Sequence, residues 1–215
     1  MTTLDASQRI VRAAEQLFAE GGEDATSLRA ITRRAGVNVA AIHYHFGGRD
    51  ELLRAILDLK IGPLNEHRLL LLDEAEARYG EPVPVQALLR AFLLPDLHLL
   101  ASLRESGQFQ FCRFMGRAYT EPSPAVAGFV NQQFAVVSER FMPLLSRALP
   151  QVPATQLHVR MRMVVAVVTV MFANAAPPGQ PGMLGSDDID EQLDSLLSFL
   201  TPGLVADSQS TRSHS

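Results

Sequence analysis

Residues 26–53, TSLRAITRRAGVNVAAIHYHFGGRDELL, constrain the fold more than any other part of the chain. Two short apolar stripes at helical spacing are divided by one glycine, and a glycine pair divides the second stripe from a third helical run. Thr26 and Ser27 are N-cap residues for a helix buried through Leu28, Ile31 and Ala35. Gly36 stands where that helix must stop with positive φ. Asn38 caps the next helix, with Val39, Ile42 and Phe46 as its expected buried side, and Gly47-Gly48 ends it. Upstream, Asp5 with Gln8 three positions on forms a near capping box. It opens a helix with an apolar face of Ile10, Ala13, Ala14, Leu17 and Phe18, stopped at Gly21-Gly22. Two short helices joined by a glycine turn and backed by a third form the helix-turn-helix arrangement.

Such an arrangement places its second short helix in a DNA major groove. Ala40, Ala41, His43, Tyr44 and His45 lie on or near the outward side of that helix. The alanines permit close approach and can touch a thymine methyl, while the two histidines and Tyr44 can reach phosphates or base edges. Arg29, and Arg49 at the start of the next helix, are placed for backbone phosphate, and the free N–H groups of that helix start add an anion site. Thr26, Ser27 and Asn38 complete the expected DNA-contacting set. His43 and His45, two apart on a helix, point in different directions with no cysteine or carboxylate cluster, so no metal is expected there.

Residues 5 to about 60 resemble the DNA-binding domain of the TetR family of bacterial regulators, and AGVNVAAIHYHFGGRDELL carries the likeness. That family shows an aromatic pair, then His-Phe, then Gly-Ser-Lys-Glu-x-Leu. This chain has Tyr44-His45-Phe46 followed by Gly47-Gly48-Arg49-Asp50-Glu51-Leu52. One usual aromatic is His43 here, and the usual serine cap is Gly48, which removes a phosphate-contacting hydroxyl. Arg49 keeps the positive charge.

Composition narrows the remainder. The chain has 215 residues, 47% of them hydrophobic, enough for a sizeable core in one or two domains. Its single cysteine, Cys112, excludes an internal disulfide framework and reads as a small buried hydrophobe. The net charge of −4 argues against a general polyanion binder. Residues 1–60 hold eight basic and eight acidic side chains, so DNA affinity has to come from local clustering of Arg29, Arg33, Arg34 and Arg49. The start of the chain is a polar capped helix rather than a signal core. The longest apolar run, 163–173, is too short to span a bilayer, which with the cysteine count points to the cytoplasm. No nucleophile–base pairing, metal spacing or phosphate-cradling glycine loop is present, so no enzyme and no cofactor are expected.

The expected fold class is all-α: an N-terminal three-helix helix-turn-helix domain, joined by a long helix to an all-helical second domain. The expected divisions are 5–50 for the first (helix-turn-helix about 27–46), 51–204 for the second and 205–215 for a disordered tail. One helix is expected from Arg49 to about Tyr79, kinked at Gly62-Pro63. Further helices are expected over 85–102 (bent or broken at Pro95), 103–119, 125–149, 154–176 and 188–200, with a loop over 177–186.

The family resemblance implies that the second domain binds a small molecule and dimerises. Aromatic candidates for the pocket are Phe92, Phe109, Phe111, Phe114, Phe134 and Phe141, with Leu93, Met115, Val137 and Met142 as their apolar neighbours. Polar candidates are His98, Gln108, Gln110, Arg113, Arg117, Tyr119, Asn131 and Gln132. Val164, Val168, Met171 and Phe172, with Leu193, Leu196 and Leu197, are the expected dimer stripes, Met163 and Val167 lying on the first of them and Ile189 and Leu200 on the second. NVAAIHYHFG, with FMGRAYTEPSP at 114–124, is similar to the fatty-acid-responsive branch of the family, which implies a fatty acid or acyl-CoA effector met by Arg113 or Arg117. Together these features imply a ligand-responsive, DNA-binding homodimeric regulator, a repressor released from a palindromic operator by a small apolar effector. An activator, or a non-transcriptional DNA-bound adaptor of the same fold, is the alternative.

Overall fold

The computed structural model describes residues 5–21, 26–120, 124–177, 179–180 and 182–206. The described elements are helices: α1 (Ala6–Gly21), α2 (Leu28–Ala35), α3 (Val39–Phe46), α4 (Arg49–Tyr79), α5 (Val85–Glu105), α6 (Phe109–Thr120), α7 (Pro124–Ala148), α8 (Ala154–Ala173) and α9 (Ile189–Val205). No strand occurs among the described residues.

The N-terminal helices form for local reasons. The capping box closes reciprocally: the Gln8 amide donates to Asp5 Oδ1 at 2.8 Å, and the Asp5 amide donates to Gln8 Oε1 at 3.1 Å. That backbone donor, with the Ser7 hydroxyl, holds the Asp5 carboxyl below its ordinary pKa. Ser27 accepts from the Ala30 amide and Asn38 from the Ala41 amide, so α2 and α3 both start on side-chain caps. Gly36 ends α2 at φ 63°, a left-handed conformation that a β-branched residue would strain. Ile10, Ala14, Phe18, Ile31 and Ile42 close the small core of this unit against Leu52, Leu53 and Ile56 of α4. Gly22 lies outside the described residues.

α4 runs unbroken from this unit into the body, with Pro63 inside it. Around it α5 packs against α4, α6, α7, α8 and α9, and every residue from Ala91 to Leu97 is buried. α5 continues through Pro95 and beyond the expected end, to Glu105. Ser106 to Gln108 turn the chain with Gly107 at φ 74°, so α6 starts at Phe109 rather than at Leu103. α9 continues through Pro202 to Val205, past the expected end at Leu200, and residues 207–215 lie outside the described set. The core is continuous from Ile10 to Leu204.

α5 and α8 are long and apolar enough by composition to cross a membrane. The length argument from the longest apolar run therefore does not hold by itself. Burial accounts for much of the apolarity of α5, half of whose apolar stretch is enclosed by neighbouring helices; in α8 only 39% is enclosed, and apolar residues also lie on its outer face.

Candidate DNA interface and interior cavity

α3 sits on its neighbours through Ile42, which is fully buried, and Phe46, which is half-buried. The other side is open. Ala40, His43 and His45 are exposed, and Tyr44 is 85% exposed, its ring edge-on to His45 at 5.0 Å between centroids. An exposed tyrosine beside Ala40 and two histidines leaves a face able to enter a groove. In one tautomer His43 Nδ1 donates to the Gly47 carbonyl at 3.1 Å, which turns its Nε2 outward. Val39 was expected on the buried side but is 38% exposed, so the open face begins one residue earlier. Ala41, by contrast, is half-buried and packs against the core, so Ala40 is the freer of the two alanines.

The remaining predicted DNA residues divide into positioning and contacting groups. Thr26 is buried, and Ser27 and Asn38 spend their side-chain oxygens on helix caps. Arg29 and Arg33 are exposed on α2, and Arg49 is half-buried at the start of α4. Arg34 is exposed, and its guanidinium bonds Glu20 of α1 at 2.6 Å, which lowers the Glu20 pKa and raises that of Arg34.

The body encloses a cavity between α4, α5, α6, α7 and α8, with an open volume of about 30 Å³. Most of its wall is apolar: Leu64, Phe92, Met115, Phe134, Val137, Val165, Val168 and Phe172. Asn65, Arg68, Asp96, Tyr119, Gln133 and Thr169 are the polar exceptions. Of the predicted ligand residues, Phe92 and Phe134 line it, as do Met115, Val137 and Tyr119. Phe141 packs edge-on behind Phe92 at 5.5 Å. Phe111 and Phe114 are directed elsewhere, into the seam between α6 and α1, where Phe114 stacks on Phe18 at 4.6 Å. Phe109 is half-buried beside Arg113, whose Nε donates to the Ala175 carbonyl. His98 is exposed and stacks on His67 at 5.9 Å. The Arg117 side chain lies outside the described residues.

Sequence reasoning named Tyr119 but missed the charged pair in the wall of this cavity. Arg68 on α4 and Asp96 on α5 form a buried ion pair, 8% and 3% exposed. Arg68 also donates from Nε to the Phe92 carbonyl at 3.0 Å and from Nη1 to Asn65 Oδ1 at 2.8 Å, and its guanidinium lies 4.5 Å over the Phe92 ring. Burial pushes the Asp96 carboxyl up, against the pull of Arg68. Burial also raises the Tyr119 phenol to about 12 and the Cys112 thiol to about 12, so the phenol keeps its proton and the thiol is unreactive at neutral pH. The sequence did carry a signal: one acid in the apolar run FLLPDLHLL, and one base on the buried stripe of α4.

The expected dimer stripes need correction. Val164, Val168, Met171 and Phe172 of α8, and Leu193 and Leu196 of α9, are buried inside the protomer, where they meet α5 and α6, and Leu197 is half-buried. The apolar surface lies on the other faces of the same helices. Met163 is 62% exposed, flanked by Val159 and Val170 one turn away or two, and Phe199 of α9 is 73% exposed.

Comparison with known proteins now bears on both parts. Residues 10–56 match the family described as bacterial regulatory proteins, tetR family, and residues 90–203 match the tetracyclin repressor-like C-terminal domain. The chain belongs to the TetR family. Its relatives include the HTH-type transcriptional dual regulator CecR of Shigella flexneri, 29% identical over 121 residues, 56% of this chain and 54% of that protein. The HTH-type transcriptional repressor KstR of Rhodococcus jostii is 27% identical over 130 residues, 54% of this chain and 61% of the relative. The chain thus spans little more than half the length of these curated relatives. The crystal structure of the regulator PfmR from Thermus thermophilus shares the fold, with a TM-score of 0.62 at 19% identity over 94% of this chain and 99% of that one. The family and these relatives are transcriptional regulators, not enzymes.

Proposed function

We propose that this TetR-family protein is a ligand-responsive transcriptional repressor that binds a palindromic operator as a homodimer in the cytoplasm. The observation that carries the reading is α3: capped at Asn38, anchored by Ile42, and open along Ala40, His43 and Tyr44. Single helices of this kind bind weakly, and two of them about 34 Å apart read matched half-sites on one face of DNA. The exposed apolar faces of α8 and α9 supply a surface for that pairing. Met163→Glu combined with Phe199→Glu is expected to leave helix content unchanged and convert the dimer to a monomer in sedimentation velocity. A dimer that survives both charges places the interface elsewhere.

The effector belongs in the interior cavity, as a small apolar or amphipathic molecule. An open volume of about 30 Å³ admits a water or two, so an effector enters by moving a wall. α7 contributes Gln133, Phe134 and Val137 to that wall. Gln133 also grips α4 on both sides of Gly62-Pro63: it donates to Asp58 Oδ1 at 3.1 Å and accepts from Asn65 Nδ2 at 3.0 Å. Outward movement of α7 releases that grip and frees α4 to flex where a proline already interrupts its hydrogen bonds. Met115 and Tyr119 carry the same displacement along α6 to Phe114, which stacks on Phe18 of α1. Effector and operator then oppose each other by a coupling of about 1–3 kcal/mol. Gln133→Ala is expected to weaken operator binding without effector and to shrink the further loss that effector causes. Equal effector response in the two proteins, measured by fluorescence anisotropy, removes Gln133 from the switch.

The reading is tested by selecting random-sequence and genomic DNA with the purified protein at near-physiological salt. A short palindrome near one or two promoters is the expected result. Widely scattered genomic sites favour the adaptor reading, and sites whose occupancy raises transcription favour an activator.

A further inference from the structure

The polar part of the cavity wall is built for a particular head group. Arg68 is committed on three sides, to Phe92, Asn65 and Asp96. Asp96 receives only the Arg68 donor among the described residues, which leaves its second carboxylate oxygen without one, although the residue lines the cavity. The Tyr119 hydroxyl, also on the cavity wall, has no hydrogen-bond partner among the described residues. Thr169 donates to the Val165 carbonyl at 2.8 Å, so its oxygen can only accept toward the cavity. An acceptor, a hydroxyl that can donate, and a second acceptor therefore line a chamber whose two charges cancel.

This arrangement disfavours either sign of charge. A carboxylate reaching Arg68 has to displace Asp96, which leaves a buried carboxylate unpaired, or else lie beside it. An ammonium on Asp96 has to lie beside the guanidinium of Arg68. A hydroxyl meets neither obstacle, because it can donate to Asp96 and accept from Tyr119. We propose that the cavity selects an uncharged amphiphile: an apolar skeleton whose hydroxyl-bearing head donates to Asp96 and accepts from Tyr119. The proposal rests on the cavity being the effector site. The Tyr119 phenol holds its proton at neutral pH, so the donor it requires is present.

Calorimetry with one skeleton and four ends tests it: phenylbutanol, phenylbutyrate, phenylbutylamine and butylbenzene, each titrated into the full-length protein. The alcohol is expected to bind at least about tenfold more tightly than the acid or the amine, the size of one or two well-made hydrogen bonds. Tyr119→Phe is expected to weaken the alcohol several-fold and leave butylbenzene unchanged. The double variant Arg68→Met/Asp96→Leu, which keeps the chamber filled, is expected to erase the preference among heads. Acid or amine binding as tightly as the alcohol overturns the head-group assignment and leaves the effector site standing. Failure of all four to bind overturns both.

Discussion

Asp96→Leu alone is expected to cost about 3–5 kcal/mol of stability, because it strands the Arg68 guanidinium in the body core without its counter-charge. For a domain of this size that lowers the melting temperature by about 10 °C or more. The double variant Arg68→Met/Asp96→Leu removes both charges and replaces them with apolar volume, so it is expected to melt close to the wild type. The contrast matters more than either value, since it separates the cost of breaking a buried pair from the net worth of having one. Thermal and chemical denaturation at one fixed protomer concentration measure it, because dimer stability depends on concentration. A double variant as unstable as the single one means that the pair stabilises the fold outright rather than serving the cavity.

Gly116→Ala is expected to damage the body as much as many larger substitutions do. At this position α6 crosses α8, and a Cβ on Gly116 would overlap the Ala173 nitrogen and stand 2.5 Å from its Cα. Backbone stands on the receiving side, so no side chain can swing away and the two helices must separate. Overpacking of this kind costs about 1–3 kcal/mol or more. A mid-helix glycine is itself unfavourable by roughly 0.5–1 kcal/mol relative to alanine, so close approach explains its presence. Because α6 carries both Met115 at the cavity and Phe114 against Phe18, the variant is also expected to bind operator more weakly at temperatures where it stays folded. An unchanged melting temperature in Gly116→Ala contradicts the tight crossing.

The DNA-reading unit was legible because its determinants are local. Asp5 with Gln8, Ser27, Asn38 and Gly36 act within four residues of themselves, and each performs in the structure the role its spacing implies. The ion pair of Arg34 was not legible because its partner, Glu20, belongs to another helix and lies 14 positions away. The cavity was harder for the same reason. Arg68 and Asp96 are 28 positions apart, and nothing in either neighbourhood names the other. Aromatic content pointed to α6, yet Phe111 and Phe114 serve the seam with α1 while Met115 and Tyr119 face the chamber. α8 defeated periodicity altogether. It is apolar on both faces, so spacing could not separate buried Val164 and Val168 from exposed Met163 and Val170. Gly107 stands in the turn after α5, within the polar stretch 104–108 that separates the two helices.

The central claim is that the open face of α3 reads DNA as part of a dimer, and Ala40→Leu tests it most directly. Ala40 is exposed, so a leucine there leaves packing intact, whereas at half-buried Ala41 a leucine would also press on the core. Operator affinity, melting temperature and dimer mass are measured together, on the palindrome recovered by selection. The expected result is a loss of operator affinity of about a hundredfold, equivalent to roughly 2.7 kcal/mol, with the melting temperature and the dimer unchanged. Undiminished operator affinity in Ala40→Leu means that this helix does not enter the groove, and contradicts the assignment.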